Sequence, residues 1–196
     1  MKELLLVDCC VRGRESRTRK LVDAFLEGLD QKKYHVTVVD PEAEGMVPLT
    51  GANFARREEL VEKGELDHPR FFYAQQLSQA DAVVFAAPLW ELSFPAILKV
   101  YIENVSVKGI TFGCDADGLF GSCRGSRLIF LTTRGERYAG SDMEQGSRYL
   151  EAIAKFFGFG GYACIAADGL DAAGADAKTI LADACGRARG LAASLN

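Results

Sequence analysis

The chain has 196 residues, with 23 basic against 27 acidic side chains and a net charge of -4 at neutral pH. Hydrophobic residues make up 48% of it and charged residues 26%, the balance of a water-soluble protein with enough apolar material for one substantial core. The acidic balance argues against a nucleic-acid partner held by a basic face, and no apolar run approaches the ~20 residues that span a bilayer.

The N-terminal KELLLVD is too short and too acidic for a secretory signal, so a cytoplasmic location is expected. Residues 4–7 (LLLV) form a first apolar run, read as a buried strand. A helix is expected over 16–29, with Leu21, Val22, Phe25, Leu26 and Leu29 on one face. Valine-rich 35–39 reads as the second strand. The long connection 41–79 is expected to hold two short helices, around 56–63 and 69–79. Residues 81–87 (DAVVFAA) give a third strand, 127–132 (RLIFLT) a fourth and 162–166 (YACIA) a fifth. Helical patterns separate them over 94–105 and 145–157, and a last helix is expected over 173–195. In the helix over 94–105, Phe94, Ile97, Leu98, Tyr101, Ile102 and Val105 make a wide apolar stripe, with Ser93 as its expected N-cap and Pro95 in its first turn.

Near-continuous apolar strands alternating with helices indicate a parallel sheet covered on both faces. Right-handed crossovers then give one doubly wound α/β domain over residues 1–196, strand order 2-1-3-4-5. In such sheets ligands sit beyond the carboxyl ends of the strands, where the winding reverses. The segments after strands one, three and four are DCCVRGRESRT, PLWELSFP and TRGERYAG.

The first segment holds Cys9, Cys10, Arg12, Arg14, Ser16, Arg17 and Thr18. A thiol nucleophile of the low-molecular-weight tyrosine phosphatase kind needs Cys-x5-Arg-Ser/Thr. Here Arg17-Thr18 lies one residue too far from Cys10, and Glu15 would repel a phosphate dianion. A phosphate cradle asks for less. The helix start offers free amides and a positive dipole end, Ser16 can cap it, and Ser16, Arg17 and Thr18 add donors and charge. A plain cap with solvated arginines fits the same residues, and both readings stay open here. The G-x-x-x-x-G-K-[ST] and G-x-G-x-x-G patterns are both missing. The six cysteines have no C-x-x-C among them and there are two histidines, so no metal ligand set is expected and the thiols are read as reduced. Asp115-Ala116-Asp117-Gly118 lacks the remaining positions of a calcium loop and is read as a turn.

The second segment puts the chain's single tryptophan, Trp90, in a loop at a strand's carboxyl end. Trp90 and Leu92 either close the core or a subunit contact, or wall a flat ring whose polar edge meets loop amides. A flat ring together with a phosphate at the first loop describes flavin mononucleotide.

The stretch PLWELSFPAILKVYIENVSVKGITF resembles the segment that marks FMN-dependent NAD(P)H oxidoreductases of the flavodoxin-like fold, the azoreductases and NAD(P)H:quinone reductases. Thr132-Thr133-Arg134-Gly135 is similar to that family's Ser/Thr-Arg-Gly-Gly turn, and residues 157–161 (FGFGG) to its entry into the fifth strand. Cys9-Cys10 stand where family members carry Ser-Ser, and Ser16-Arg17-Thr18 where they carry Ser-x-Ser. Three departures stand out. Cys10, a poorer donor than a hydroxyl, faces the expected phosphate; Glu91 replaces a frequent asparagine; Glu136 replaces the second glycine of the turn.

The resemblance implies FMN as cofactor and NADH or NADPH as co-substrate, in ping-pong hydride transfer to a quinone, azo or similar small-molecule acceptor. It implies that Cys10, Ser16, Arg17 and Thr18 meet the phosphate. Pro88, Leu89, Trp90, Glu91 and Leu92, with Thr133, Arg134, Gly135 and Glu136, would meet the flavin edge. No catalytic acid or base is implied, since the cofactor carries the reaction. Arg134 either compensates the reduced ring or is a surface charge. Family members pair as dimers, and the stripe on 94–105 and the loop 108–121, with Phe112 and Phe120, are candidate contacts. An electron carrier of the same fold and a flavin-free binding protein are the competing classes.

Overall fold

The computed structural model describes residues 1–195. Five parallel strands form one sheet: β1 (Lys2–Asp8), β2 (Tyr34–Val39), β3 (Ala82–Ala86), β6 (Arg127–Thr133) and β7 (Tyr162–Ala167). Their spatial order is β2-β1-β3-β6-β7, the doubly wound 2-1-3-4-5 arrangement expected for the main sheet. β4 (Phe112–Asp115) and β5 (Gly118–Gly121) make a separate antiparallel hairpin.

The central strands are continuous apolar runs because both of their faces are buried. Alternation along β1 sends Leu5, Val7 and Cys9 into one core and Leu4, Leu6 and Cys10 into the other. The second core is closed by α1 (Arg17–Gly28) and α6 (Ala177–Ala193), which pack on each other through Leu21, Val22, Phe25, Ala184 and Ala188. Their approach is close. A Cβ at Gly28 would lie 2.5 Å from the Arg189 carbonyl oxygen, so only glycine fits there. The first core is closed by α3 (Phe72–Gln79), α4 (Ala96–Val105) and α5 (Gly146–Phe157), with α2 (Gly51–Glu62) delivering Leu60.

Several boundaries differ from the sequence reading, each for a local reason. Residues 69–79 split into a 3-10 turn (Pro69–Phe71) and α3, because Pro69 starts the turn and His68 Nδ1 accepts the Arg70 amide. α2 starts at Gly51 rather than near 56, and α6 at Ala177, where the Asp176 carboxylate accepts the Thr179 amide at 3.1 Å. The N-cap of α4 is Pro95, not Ser93, because Ser93 is held in a bridge to Trp90.

The β4–β5 hairpin was not anticipated. Its strands are four residues each, FGCD with one glycine and GLFG with glycine at both ends, so they show no usable alternation. Asp115–Gly118 closes it as a turn, the Asp117 amide donating to Asp115 Oδ1 at 2.9 Å. The hairpin docks on the end of α5, where Gly121 passes against the Gly158 backbone. Phe112 packs on Phe156 with ring centroids 4.7 Å apart, whereas Leu119 and Phe120 stay exposed. Most of the α4 stripe is core: Leu98, Tyr101, Ile102 and Val105 are buried, and Phe94 and Ile97 are half-buried. Among the described residues no helix is long and apolar enough to cross a membrane.

Candidate functional site

Beyond the carboxyl ends of β1, β3 and β6, three loops and part of a fourth surround one cavity of about 240 Å³. Ser16, Arg17, Pro88, Leu89, Trp90, Thr133 and Gly135 line it, together with Val11, Arg12, Glu15 and Asp171. The segments after β1, β3 and β6 are the ones singled out from sequence. Asp171 comes from the β7–α6 loop and was not foreseen.

The first wall is the start of α1. Ser16 is its N-cap, buried, with its hydroxyl accepting the Arg19 amide at 3.4 Å. That leaves the Arg17 and Thr18 amides as the donors a helix cannot satisfy internally, at the positive end of its dipole. Arg17 does not reach freely into solvent. Its guanidinium meets Asp171 in a two-point fork, Nη1 to Oδ1 at 2.7 Å and Nη2 to Oδ2 at 2.8 Å. The hydrogen bond to Arg17 holds the Asp171 carboxyl below its ordinary range. With Arg12 and Glu15 also present, the wall carries two cations and two anions.

Thr18 is fully buried, and its hydroxyl is hydrogen-bonded to the Thr133 hydroxyl at 2.7 Å. Its side chain therefore ties α1 to β6, and only its amide faces the helix mouth. Cys10 also lies apart from the cavity. It lines a neighbouring crevice with Asp8, Cys9, Asp40, Glu42 and Ile97, and its amide donates to Asp8 Oδ1 at 3.0 Å. Burial, reinforced by the Asp8 carboxylate, pushes the thiols of Cys9 and Cys10 far up. Neither is a thiolate at neutral pH, which removes the nucleophile a phosphatase-like reaction needs. All six cysteines are free.

The second wall is the turn after β3. Trp90 and Ser93 exchange backbone hydrogen bonds, Trp90 N to Ser93 O at 3.3 Å and Ser93 N to Trp90 O at 2.8 Å. The two residues between them, Glu91 and Leu92, both have positive φ, 45° and 67°. A two-residue turn of this hand favours Asn-Gly. Glu and Leu there are strained, by ~1–3 kcal/mol each. Such strain persists only where the surroundings impose it. Here the Leu92 carbonyl accepts the Gln145 amide ahead of α5, and the Leu89 amide donates to Thr133 O at 2.9 Å. The result turns Trp90 outward, 44% exposed, at the cavity rim, with Glu91 and Leu92 also exposed.

The third wall is the turn after β6. Thr133 and Gly135 line the cavity, while Glu136 is exposed and its carbonyl accepts the Gly169 amide. A Cβ at position 135 would lie 2.9 Å from Asp171 Oδ2. Arg134 is not a surface charge, one of its two expected roles. It is 5% exposed, with Nη2 3.2 Å from Glu144 Oε1 and Nη1 3.4 Å from Asp168 Oδ1. Two carboxylates already claim its charge. The strand-end rule applied to the fifth strand would have reached Asp168 and Asp171, since DGLD directly follows it.

Residues 2–191 match the family described as having the flavodoxin-like fold. The chain belongs to that family. It is 37% identical over 180 residues to FMN-dependent NADH:quinone oxidoreductase 2 of Clostridium acetobutylicum, covering 89% of each chain. A second relative, FMN-dependent NADH:quinone oxidoreductase 2 of Clostridium perfringens, is 36% identical over 187 residues and covers 91% of each. Among solved structures, an azoreductase from Bacillus anthracis superposes with a TM-score of 0.87 at 24% identity, over 99% of this chain and 100% of that one. An FMN-dependent NADH-azoreductase from Bacillus anthracis, solved in complex with FMN, gives 0.86 at 22% identity, over 100% of this chain and 99% of that one. At these identities the structural likeness bears on fold alone.

The residues present fit an anionic, flat-ringed cofactor. A capped helix start with two spare amides faces a cavity whose far side is an exposed indole on a strained turn.

Proposed function

We propose that this chain is an FMN-dependent NADH:quinone oxidoreductase. The observation that carries the reading is one cavity bounded by the Ser16-capped start of α1, the Trp90 turn and the Thr133–Gly135 turn. Bound at this site, FMN would supply hydride-transfer chemistry between NAD(P)H and a quinone, azo or similar acceptor. The residues bind and orient. The Arg17 and Thr18 amides and the Ser16 hydroxyl would hold the phosphate, and Arg17 would share its charge between Asp171 and that phosphate. Pro88–Leu92 and Thr133–Glu136 would present backbone donors and acceptors to the ring's polar edge, with Trp90 as a wall beside it. No catalytic acid or base is assigned, because the cofactor would carry the reaction.

The reading extends to one flavodoxin-like domain over 1–196 in the cytoplasm, acting on small molecules, with no nucleic-acid or membrane partner. A homodimer is part of it. Exposed Trp90, Leu92 and Phe120 are apolar surface that a second subunit would cover.

The test is an anaerobic stopped-flow trace on the FMN-loaded protein. Visible flavin absorbance should bleach with NADH or NADPH and return when a quinone or azo compound is added. A protein that binds FMN but is bleached by neither nucleotide is an electron carrier. One that ignores FMN is a binding protein on the same scaffold. Either result defeats the proposal.

A further inference from the structure

The Arg134 cluster is costly and otherwise unexplained. Arg134 and Glu144 are buried with Asp168 half-buried beside them, and Arg134 Nε has no hydrogen-bond partner in the structure. Buried ion pairs of this kind seldom add net stability, so the cluster calls for another purpose. Its contacts supply one. The Asp168 carboxylate, drawn in by Arg134, accepts the Tyr138 amide with both oxygens at 3.1 Å and the Ala139 amide at 3.2 Å. Glu144, on the other side of the guanidinium, accepts the Ser147 amide at 2.8 Å and so holds the first turn of α5. The Arg134 backbone is fixed as well, its amide to Ala167 O and its carbonyl to the Leu170 amide.

We propose that Asp168 and Arg134 are positioning residues for the turn that meets the flavin. Arg134 sets the Asp168 carboxylate, and that carboxylate holds the Tyr138 and Ala139 amides from behind, so that the turn that begins at Gly135, whose carbonyl accepts the Asp171 amide, meets the cavity in one conformation. With one cation and two anions, the cluster has no positive charge left over for the cofactor; its action is geometric. This inference rests on the FMN reading above.

The experiment compares the purified protein with Asp168→Asn, which keeps the shape of the side chain and removes its charge. Two quantities are read: the FMN dissociation constant from flavin fluorescence, and hydrogen exchange over residues 136–141. Val36→Ala, on the far edge strand β2, serves as the control for general destabilisation. The D168N protein should bind FMN about tenfold more weakly and exchange faster over 136–141, with and without FMN. V36A should leave both quantities unchanged despite a comparable fall in melting temperature. Arg134→Lys should move both in the same direction as D168N, and it decides the matter where D168N does not fold. Wild-type affinity in D168N, or an equal loss in V36A, overturns the assignment while leaving the FMN reading intact. An unmodified protein that binds no FMN overturns both.

Discussion

Two arginines, Arg17 lining the cavity and Arg134 buried behind its third wall, each meet an aspartate from the same loop after β7. Arg17 and Asp171 pair at 2.7 Å with side chains 36% and 59% exposed, while Arg134 and Asp168 pair at 3.4 Å with side chains 5% and 18% exposed. The better geometry belongs to the exposed pair. It is also the exchangeable one, because water and salt screen it and either partner can be released at small cost. The buried pair has poorer geometry but cannot be opened without stranding a charge. One loop thus supplies a replaceable contact at the helix mouth and a fixed one behind the turn after β6.

The largest effect separating the two should come from Arg134→Met. Leaving buried Glu144 and half-buried Asp168 without their cation should cost about 3–5 kcal/mol of unfolding free energy, measured by urea denaturation. A loss under about 1 kcal/mol would show that the two pairs do not differ as described. Next is Arg17→Ala, which should change stability by less than about 1 kcal/mol. Its FMN dissociation constant should rise about tenfold in low salt and less at high ionic strength. An R17A protein with unchanged affinity removes Arg17 from the phosphate site.

A third test concerns the strained turn facing both pairs. Leu92→Gly relieves a positive φ in a side-chain-bearing residue and should stabilise the free protein by about 1 kcal/mol. No gain in the urea midpoint would mean that the turn is not strained.

The smallest effect is on pH. Arg17 holds the Asp171 carboxyl below its ordinary value of 3.8, so the pair's contribution is complete above that value in the unfolded chain. It is lost as pH falls through the depressed folded value. After solvent screening it amounts to less than about 1 kcal/mol. Asp171→Asn should flatten the acid limb of the stability curve by lowering stability that much in the neutral region, and leave the most acid region, where the contribution is already lost, unchanged.

The fold was legible because it is written in continuous patterns. LLLV, DAVVFAA and RLIFLT read as doubly buried strands once they are seen to alternate with helical patterns, and that alternation points to the winding. Ser16 was legible as a cap because its signal is local. What the sequence hid is non-local or conformational. The β4–β5 hairpin is too short to show a period. The left-handed turn at Glu91-Leu92 runs against the residues' own preferences and is imposed by Ser93 and Gln145. The partners of Arg17 and Arg134 lie 154 and 34 residues away, and no spacing announces them. The Thr18 hydroxyl, read from sequence as a phosphate donor, is bonded to Thr133 and leaves the amide at the helix mouth, because the hydroxyl of a helix's second residue can turn toward the sheet as easily as toward the cavity.

The central claim is that FMN lies in the cavity bounded by Ser16, Trp90 and Gly135. The chain's single tryptophan stands at the rim of that cavity, so its emission reports on the site directly. Titration of the purified protein with FMN should quench Trp90 emission along a saturable curve that ends at one FMN per chain. Emission that stays constant, or that falls linearly without saturating, would contradict it.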